Sequence, residues 1–164
     1  MVPLIPHYLY ILNYLGDPTP SDCAHTSCLT KWLCIYPDGS AYPCAKACPD
    51  EYRMGNINEV GSIAELFQSE GFKRILIGSI QRREKCASCP VYKFCNGGCS
   101  MDAHHECGIS NIGGDSCRIF REVFTHISKE VQAVLDGNGD VSGLNPFVRD
   151  AIVGKLVNPK TVSM

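Results

Sequence analysis

The sequence predicts a small α+β domain, rich in cysteine, with a β-hairpin, a loop-rich ligand region and a C-terminal helix. Three observations point there. Eleven of the 164 residues are cysteine, and six of those fall between residues 86 and 117. Two short β-prone runs flank Pro37-Asp38-Gly39-Ser40, a turn sequence in which Gly39 is free to take positive φ. From residue 116 to residue 135, apolar side chains recur at helical spacing.

Taken in order, residues 1–16 read as a helix ended by Gly16. Its apolar positions (Leu4, Tyr8, Leu9, Ile11, Leu12 and Leu15) leave little polar face, and a helix apolar nearly all round is normally covered by partners. Residues 1–20 are therefore expected to be a helix and linker belonging to a larger body. Pro18 and Pro20 break regular structure before residue 21. The main domain is placed at residues 21–136, with its hairpin across residues 31–44. Ser62-x-x-Glu65 has the form of a capping box, so a short helix is expected to start there and bury Ile63, Leu66 and Phe67. The stretch FKRILIGSI at 72–80 fits helix or strand, and periodicity does not decide between them. The final helix is expected to start after an N-cap at Asp115 or Ser116. Its stripe is Phe120, Phe124, Ile127, Val131, Val134 and Leu135, and Gly137 stops it. Residues 137–164 are a weakly patterned tail.

Composition narrows the partners. The formal charge is −2, so no broad basic face for nucleic acid is expected. No apolar run reaches the ~20 residues of a membrane span. The apolar opening lacks the basic segment and cleavage site of a secretory signal, which favours a reducing, cytoplasmic setting in which thiols stay free or bind metal. An odd cysteine count also argues against a fully paired disulfide scaffold.

The cysteines form two groups, Cys23, Cys28, Cys34, Cys44 and Cys48, then Cys86, Cys89, Cys95, Cys99, Cys107 and Cys117. Both zinc and iron–sulfur clusters accept four thiolates, and Cys86/Cys89 with Cys95/Cys99 would suit a local zinc site. The tight C-x2-C-x5-C-x3-C run favours iron–sulfur, because Gly97 and Gly98 let backbone approach a bulky core and aim N–H groups at it. Zinc remains the alternative.

Cys28, ten residues, Gly39, four residues and Cys44, then Cys-x2-Cys-x5-Cys-x3-Cys at 86–99 and a single Cys117, resemble the SPASM domain of radical S-adenosylmethionine enzymes. LGDPTPSDC, MGNINEVGSIAELF and FREVFTHI are similar to the corresponding stretches of anaerobic sulfatase-maturating enzymes. The resemblance spans about residues 10 to 135. It implies two auxiliary [4Fe-4S] clusters, the first on Cys23, Cys28, Cys44 and Cys99, the second on Cys86, Cys89, Cys95 and Cys117. It also implies electron transfer and positioning of a peptide or protein substrate in a peptide-maturating enzyme.

The catalytic motif of that family, C-x3-C-x2-C, is missing. Cys44-x3-Cys48 is followed by Glu51, and Cys95-x3-Cys99 by Asp102. No catalytic residue is assigned, and activity of this chain alone is not expected. S-adenosylmethionine would bind only in a barrel supplied in cis or in trans, the opening helix being read as that barrel's end. A stand-alone electron carrier or partner module, and a zinc-stabilised interaction domain, are the other readings.

Outside the implied ligand sets, Cys34 reads as a small buried hydrophobe, while Cys48 and Cys107 are reserve ligands or free thiols. His104 and His105 read as solvated loop residues. The basic stretch QRREK at 81–85 reads as a solvated surface, or as positive charge offsetting an anionic cluster, with Lys93 adding to it.

Overall fold

A computed structural model describes residues 28–46, 48–140, 142, 149 and 150. The expected opening helix, Cys23 and most of the tail lie outside these residues.

The hairpin is present. Strand β1 (Cys34–Ile35) pairs antiparallel with β2 (Ser40–Tyr42), with Cys34 opposite Tyr42 and Ile35 opposite Ala41. Gly39 turns the chain at φ 84°, and the Asp38 carboxylate accepts from the backbone N–H and the hydroxyl of Ser40. A third strand, β3 (Gly55–Asn56), adds to β2 to give the order β1-β2-β3. Glycine and asparagine are poor strand formers, so this strand exists because β2 offers it a ladder.

Helix α1 (Ile63–Leu66) starts at the expected N-cap, but two details differ. The Ser62 hydroxyl donates to the Glu65 carboxylate instead of the box closing onto backbone N–H groups. Ile63 points outward at 60% exposure, and Leu66 is the residue that buries. A helix of this length presents only one residue per turn to a core, and here that residue is Leu66.

The ambiguous stretch is helical. Helix α2 (Glu70–Cys86) is capped by Ser69, whose hydroxyl accepts from the Phe72 N–H at 3.2 Å. It buries Gly71, Phe72, Ile75, Gly78, Ser79, Arg82 and Cys86, one stripe at spacings of three and four. Within the ambiguous stretch the stripe includes the polar Ser79, which apolar periodicity does not count, and beyond it the polar Arg82. At Gly71 a Cβ would lie 2.1 Å from the Arg53 carbonyl oxygen, so the helix start lies directly on the backbone after the 3₁₀ turn Asp50–Tyr52.

The region expected to be loop-rich holds two short helices, α3 (Tyr92–Cys95) and α4 (Ser100–Glu106). His104 and His105 therefore sit on a helix, and His104 Nδ1 meets the Tyr52 hydroxyl at 2.8 Å. Helix α5 (Asp115–Leu135) takes Gly114 as its N-cap, one residue before the expected choices. It ends in a Schellman motif: the Gly137 N–H donates to Val134 O and the Asn138 N–H to Ala133 O.

Two cores result. One joins the sheet to α1, α2 and α4 through Leu29, Ala41, Tyr52, Leu66, Ile75 and Met101. The other joins α3 to α5 through Val91, Phe94, Phe124, Ile127 and Val131, with the Phe94 and Phe124 rings stacked at 5.0 Å. No helix among the described residues is long and apolar enough to cross a membrane.

Gly71→Ala is expected to lower stability by about 1–3 kcal/mol, because neither the helix nor the Arg53 carbonyl can yield freely. Anaerobic denaturant titration of the chain measures it, and an unchanged midpoint would mean that this close approach is not maintained.

Candidate metal centre

The six cysteines of the second group line one cavity between the two cores: Cys86, Cys89, Cys95, Cys99, Cys107 and Cys117. Its empty space is about 590 Å³ including the open mouth. Each sulfur arrives by a different local device. Cys86 ends α2, and its carbonyl accepts from the Cys89 N–H at 2.8 Å, closing a turn that brings the pair together. Cys95 ends α3, and Asn96, Gly97 and Gly98 follow in a run of positive φ (49°, 82° and 72°) that turns the chain to Cys99 within four residues. Cys117 lies in the first turn of α5.

The electrostatics follow from this proximity. Burial pushes the Cys86 thiol up, and the sulfurs of Cys95, Cys117 and Cys89 raise it further. Burial also raises Cys95, as do Cys89 and Cys117, while the N–H groups of Gly97 and Gly98 favour its thiolate.

A second set gathers on the sheet side. Cys44 and Cys99 both pack against the first core, and Leu29, next to Cys28, is part of that core. Lys46 links them: its backbone N–H donates to Cys44 Sγ at 3.4 Å and its ammonium to Cys99 Sγ at 3.7 Å. That ammonium also pairs with Asp102 at 2.8 Å. The Cys48 thiol hydrogen-bonds to Cys44 and is the main reason the Cys44 pKa falls to about 6, helped by the Lys46 N–H and charge. The Cys48 thiol is correspondingly pushed up. Burial raises Cys99, opposed by the N–H groups of Asp102 and Met101 and by Lys46.

Of the expected ligands, Cys23 lies outside the described residues. Cys86, Cys89, Cys95 and Cys117 share the cavity, Cys99 reaches both sets, and Cys44 stands beside Cys99 through Lys46. Cys28 opens the 3₁₀ turn Cys28–Thr30, half-buried. Cys34 is half-buried on β1, and Cys107 lines the cavity.

Lys46 escaped sequence reasoning, hidden inside an aborted C-x3-C motif. Arg82, in the stretch read as solvated surface or as counter-charge to a cluster, is only 2% exposed and donates to Gly97 O, Gly98 O, Ile109 O and Ser100 Oγ. The buried-face spacing of α2 would have flagged it, had the helix been recognised. Lys93 instead lies over the Phe94 ring, 4.9 Å from its centroid.

The residues fit a thiolate-held inorganic cluster. None of the ten described cysteines is in a disulfide. Val91 and Phe120 wall the cavity, and nothing stands within 4 Å of where a Cβ would be at Gly98 or Gly113. Among the described residues, no three His, Cys, Asp or Glu side chains are grouped closely enough to hold a single metal ion. The thiols line one cavity together.

Residues 23–90 match the family model of SPASM, described as an iron–sulfur cluster-binding domain. Residues 23–90 thus match a SPASM domain. Cys95, Cys99 and Cys117 follow the matched segment, in the same cavity as its Cys86 and Cys89. Over 118 residues the chain is 34% identical to a cysteine-type anaerobic sulfatase-maturating enzyme of Clostridium novyi, covering 70% of this chain and 30% of that one. A protein of the same description from Clostridium perfringens strain 13 is 33% identical over 111 residues, covering 65% and 28%. The chain thus spans about 30% of the length of these relatives. No solved structure matches it.

In the metal-free SPASM chain, Cys44 is expected to react with iodoacetamide as a thiolate down to pH about 6. Because its pKa is depressed by a donor, Cys48→Ala is expected to move that midpoint upward. Mass-spectrometric labelling across pH reads the shift, and an unmoved midpoint would assign the depression to another group.

Proposed function

We propose that the chain binds two [4Fe-4S] clusters and serves electron transfer and substrate positioning in a radical S-adenosylmethionine enzyme that modifies peptides or proteins. The first cluster takes Cys23, Cys28, Cys44 and Cys99, and the second Cys86, Cys89, Cys95 and Cys117. The observation that carries this reading is the convergence of the last four on one cavity, where the sulfurs of Cys89 and Cys117 raise both Cys86 and Cys95. Sulfurs that repel one another are held together here without disulfides, and metal is what makes such a gathering favourable.

When bound, such clusters take up and release single electrons. The chain supplies the rest. Val91 and Phe120 keep water from the cavity wall, and the Gly97 and Gly98 N–H groups stabilise the Cys95 thiolate. Lys46 holds Cys44 and Cys99 under one positive charge. With four protein ligands per cluster, no iron is left for substrate to bind, which favours electron transfer over direct coordination. The relatives' description as sulfatase-maturating enzymes supports a protein substrate, and the barrel holding S-adenosylmethionine would be supplied outside these residues.

Anaerobic purification followed by iron, sulfide and zinc determination tests the reading. About eight irons with equal sulfide per chain are expected for two clusters. One or two zinc ions without sulfide would refute it in favour of a zinc-stabilised module. Among single variants, Cys99→Ala is expected to lose the first cluster and weaken the second, while Cys34→Ala keeps its full iron content. Iron loss in Cys34→Ala equal to that in Cys44→Ala would overturn the ligand assignment.

A further inference from the structure

Among the described residues, Arg82 is a buried cation with no carboxylate partner. Its guanidinium donates through Nε to Gly97 O at 2.8 Å and through Nη1 to Ile109 O at 2.6 Å. Nη2 donates to Ser100 Oγ at 3.1 Å and to Gly98 O at 3.4 Å. All four acceptors are neutral. Among the described residues none of its partners is a carboxylate, and the Glu106 carboxylate on the same cavity is taken by the N–H and hydroxyl of Ser116. Neighbouring Arg83 adds a second positive charge, with its own Nε buried and unpartnered. A guanidinium does not escape this by losing its proton. An uncompensated buried charge costs several kcal/mol, so such a residue is retained where an anion faces it.

The anions available are sulfurs. Arg82 lines the same cavity as Cys86, Cys99 and Cys107; burial lowers its pKa, and the sulfurs of these three cysteines oppose that. Arg82 therefore stands between the two proposed ligand sets, touching the loop that joins Cys95 to Cys99 at both glycine carbonyls. A thiolate-held cluster is anionic, and more so after gaining an electron, so a fixed cation beside it favours the reduced form.

We propose that Arg82 is the buried counter-charge of the cysteine-held clusters, a positioning residue that clamps the Gly97-Gly98 loop and raises the reduction potential of the cluster beside Cys86. This rests on the iron–sulfur reading above. The positive charge sets the potential, and the planar fork sets the loop. Lysine would keep the first role and lose the second, since a point charge on a flexible stem cannot reach Gly97 O and Ile109 O together.

The test uses the full chain purified without oxygen, as parent, Arg82→Lys, Arg82→Met and the exposed same-helix control Lys73→Met. Iron and sulfide are counted first, and each protein is then titrated with dithionite against redox mediators under electron paramagnetic resonance. Arg82→Met is expected to shift the reduction equilibrium of one cluster by about tenfold toward the oxidised form, or ~59 mV for a one-electron couple. Arg82→Lys is expected to titrate with the parent but lose iron faster to a chelator, and Lys73→Met to match the parent in both. Loss of iron in Arg82→Met alone also supports the counter-charge, because Arg82→Lys retains it. An Arg82→Met protein with full iron and the parent's potential overturns the proposal. So does equal iron loss in the Met and Lys variants, which would make shape and not charge the requirement. A parent without sulfide-bearing iron overturns the cluster reading itself, and is distinguished by the metal count before any titration.

Discussion

Thiolates gathered in a half-buried space repel one another, and each loses the water that would have stabilised its charge. Most of this domain can be understood as a response to that constraint. Burial raises Cys86, Cys95 and Cys99, and the structure answers with donors that cost little room. The positive-φ run at residues 96–98 turns peptide N–H groups toward Cys95, a conformation a β-branched residue would resist. Lys46 and Arg82 bring full charges, one from the exposed rim and one from the interior. The two cations differ in consequence: a half-exposed ammonium is screened by solvent and salt, whereas a buried guanidinium is not.

The same constraint explains the division into two cores. Neither the sheet with α1, α2 and α4 nor the α3–α5 pair encloses the cavity alone. Helix α2 spans the seam, seated at its start on the Arg53 carbonyl and supplying Arg82 and Cys86 near its end. Gly78 lets Ile109 approach this helix closely, since a Cβ there would lie 2.5 Å from the isoleucine methyl. Ile109 in turn presents its carbonyl to Arg82. Packing and electrostatics are thus coupled through one helix face, and metal bound at the seam would add its binding free energy to folding.

Cysteines outside the proposed ligand sets show how much the neighbours of a thiol decide its chemistry. Cys48 hydrogen-bonds to Cys44 and so favours the thiolate of a residue four positions away, while its own proton is held more tightly. Cys107 faces the cavity at the end of α4, and Cys34 lies on a strand against Tyr42. Their spacing in the sequence does not distinguish these roles. Position in the fold does.

Much of the domain was legible from residues alone because its signals are local. Pro37-Asp38-Gly39-Ser40 specifies a hairpin wherever β-prone runs flank it, and the stripe from Phe120 to Leu135 specifies a helix stopped at Gly137. The cysteine spacings, with Gly39 between Cys28 and Cys44, pointed to the SPASM family before any coordinates. Tertiary structure decided what depends on partners distant in sequence. Strand β3 forms from Gly55 and Asn56 only because β2 is beside it, and FKRILIGSI is part of a helix that runs on to Cys86 and buries Ser79 against the Ser100 hydroxyl. The burial of Arg82 belongs to the same class: a charge is legible in a sequence, but its desolvation and the sulfurs it faces exist only once the chain has folded around them.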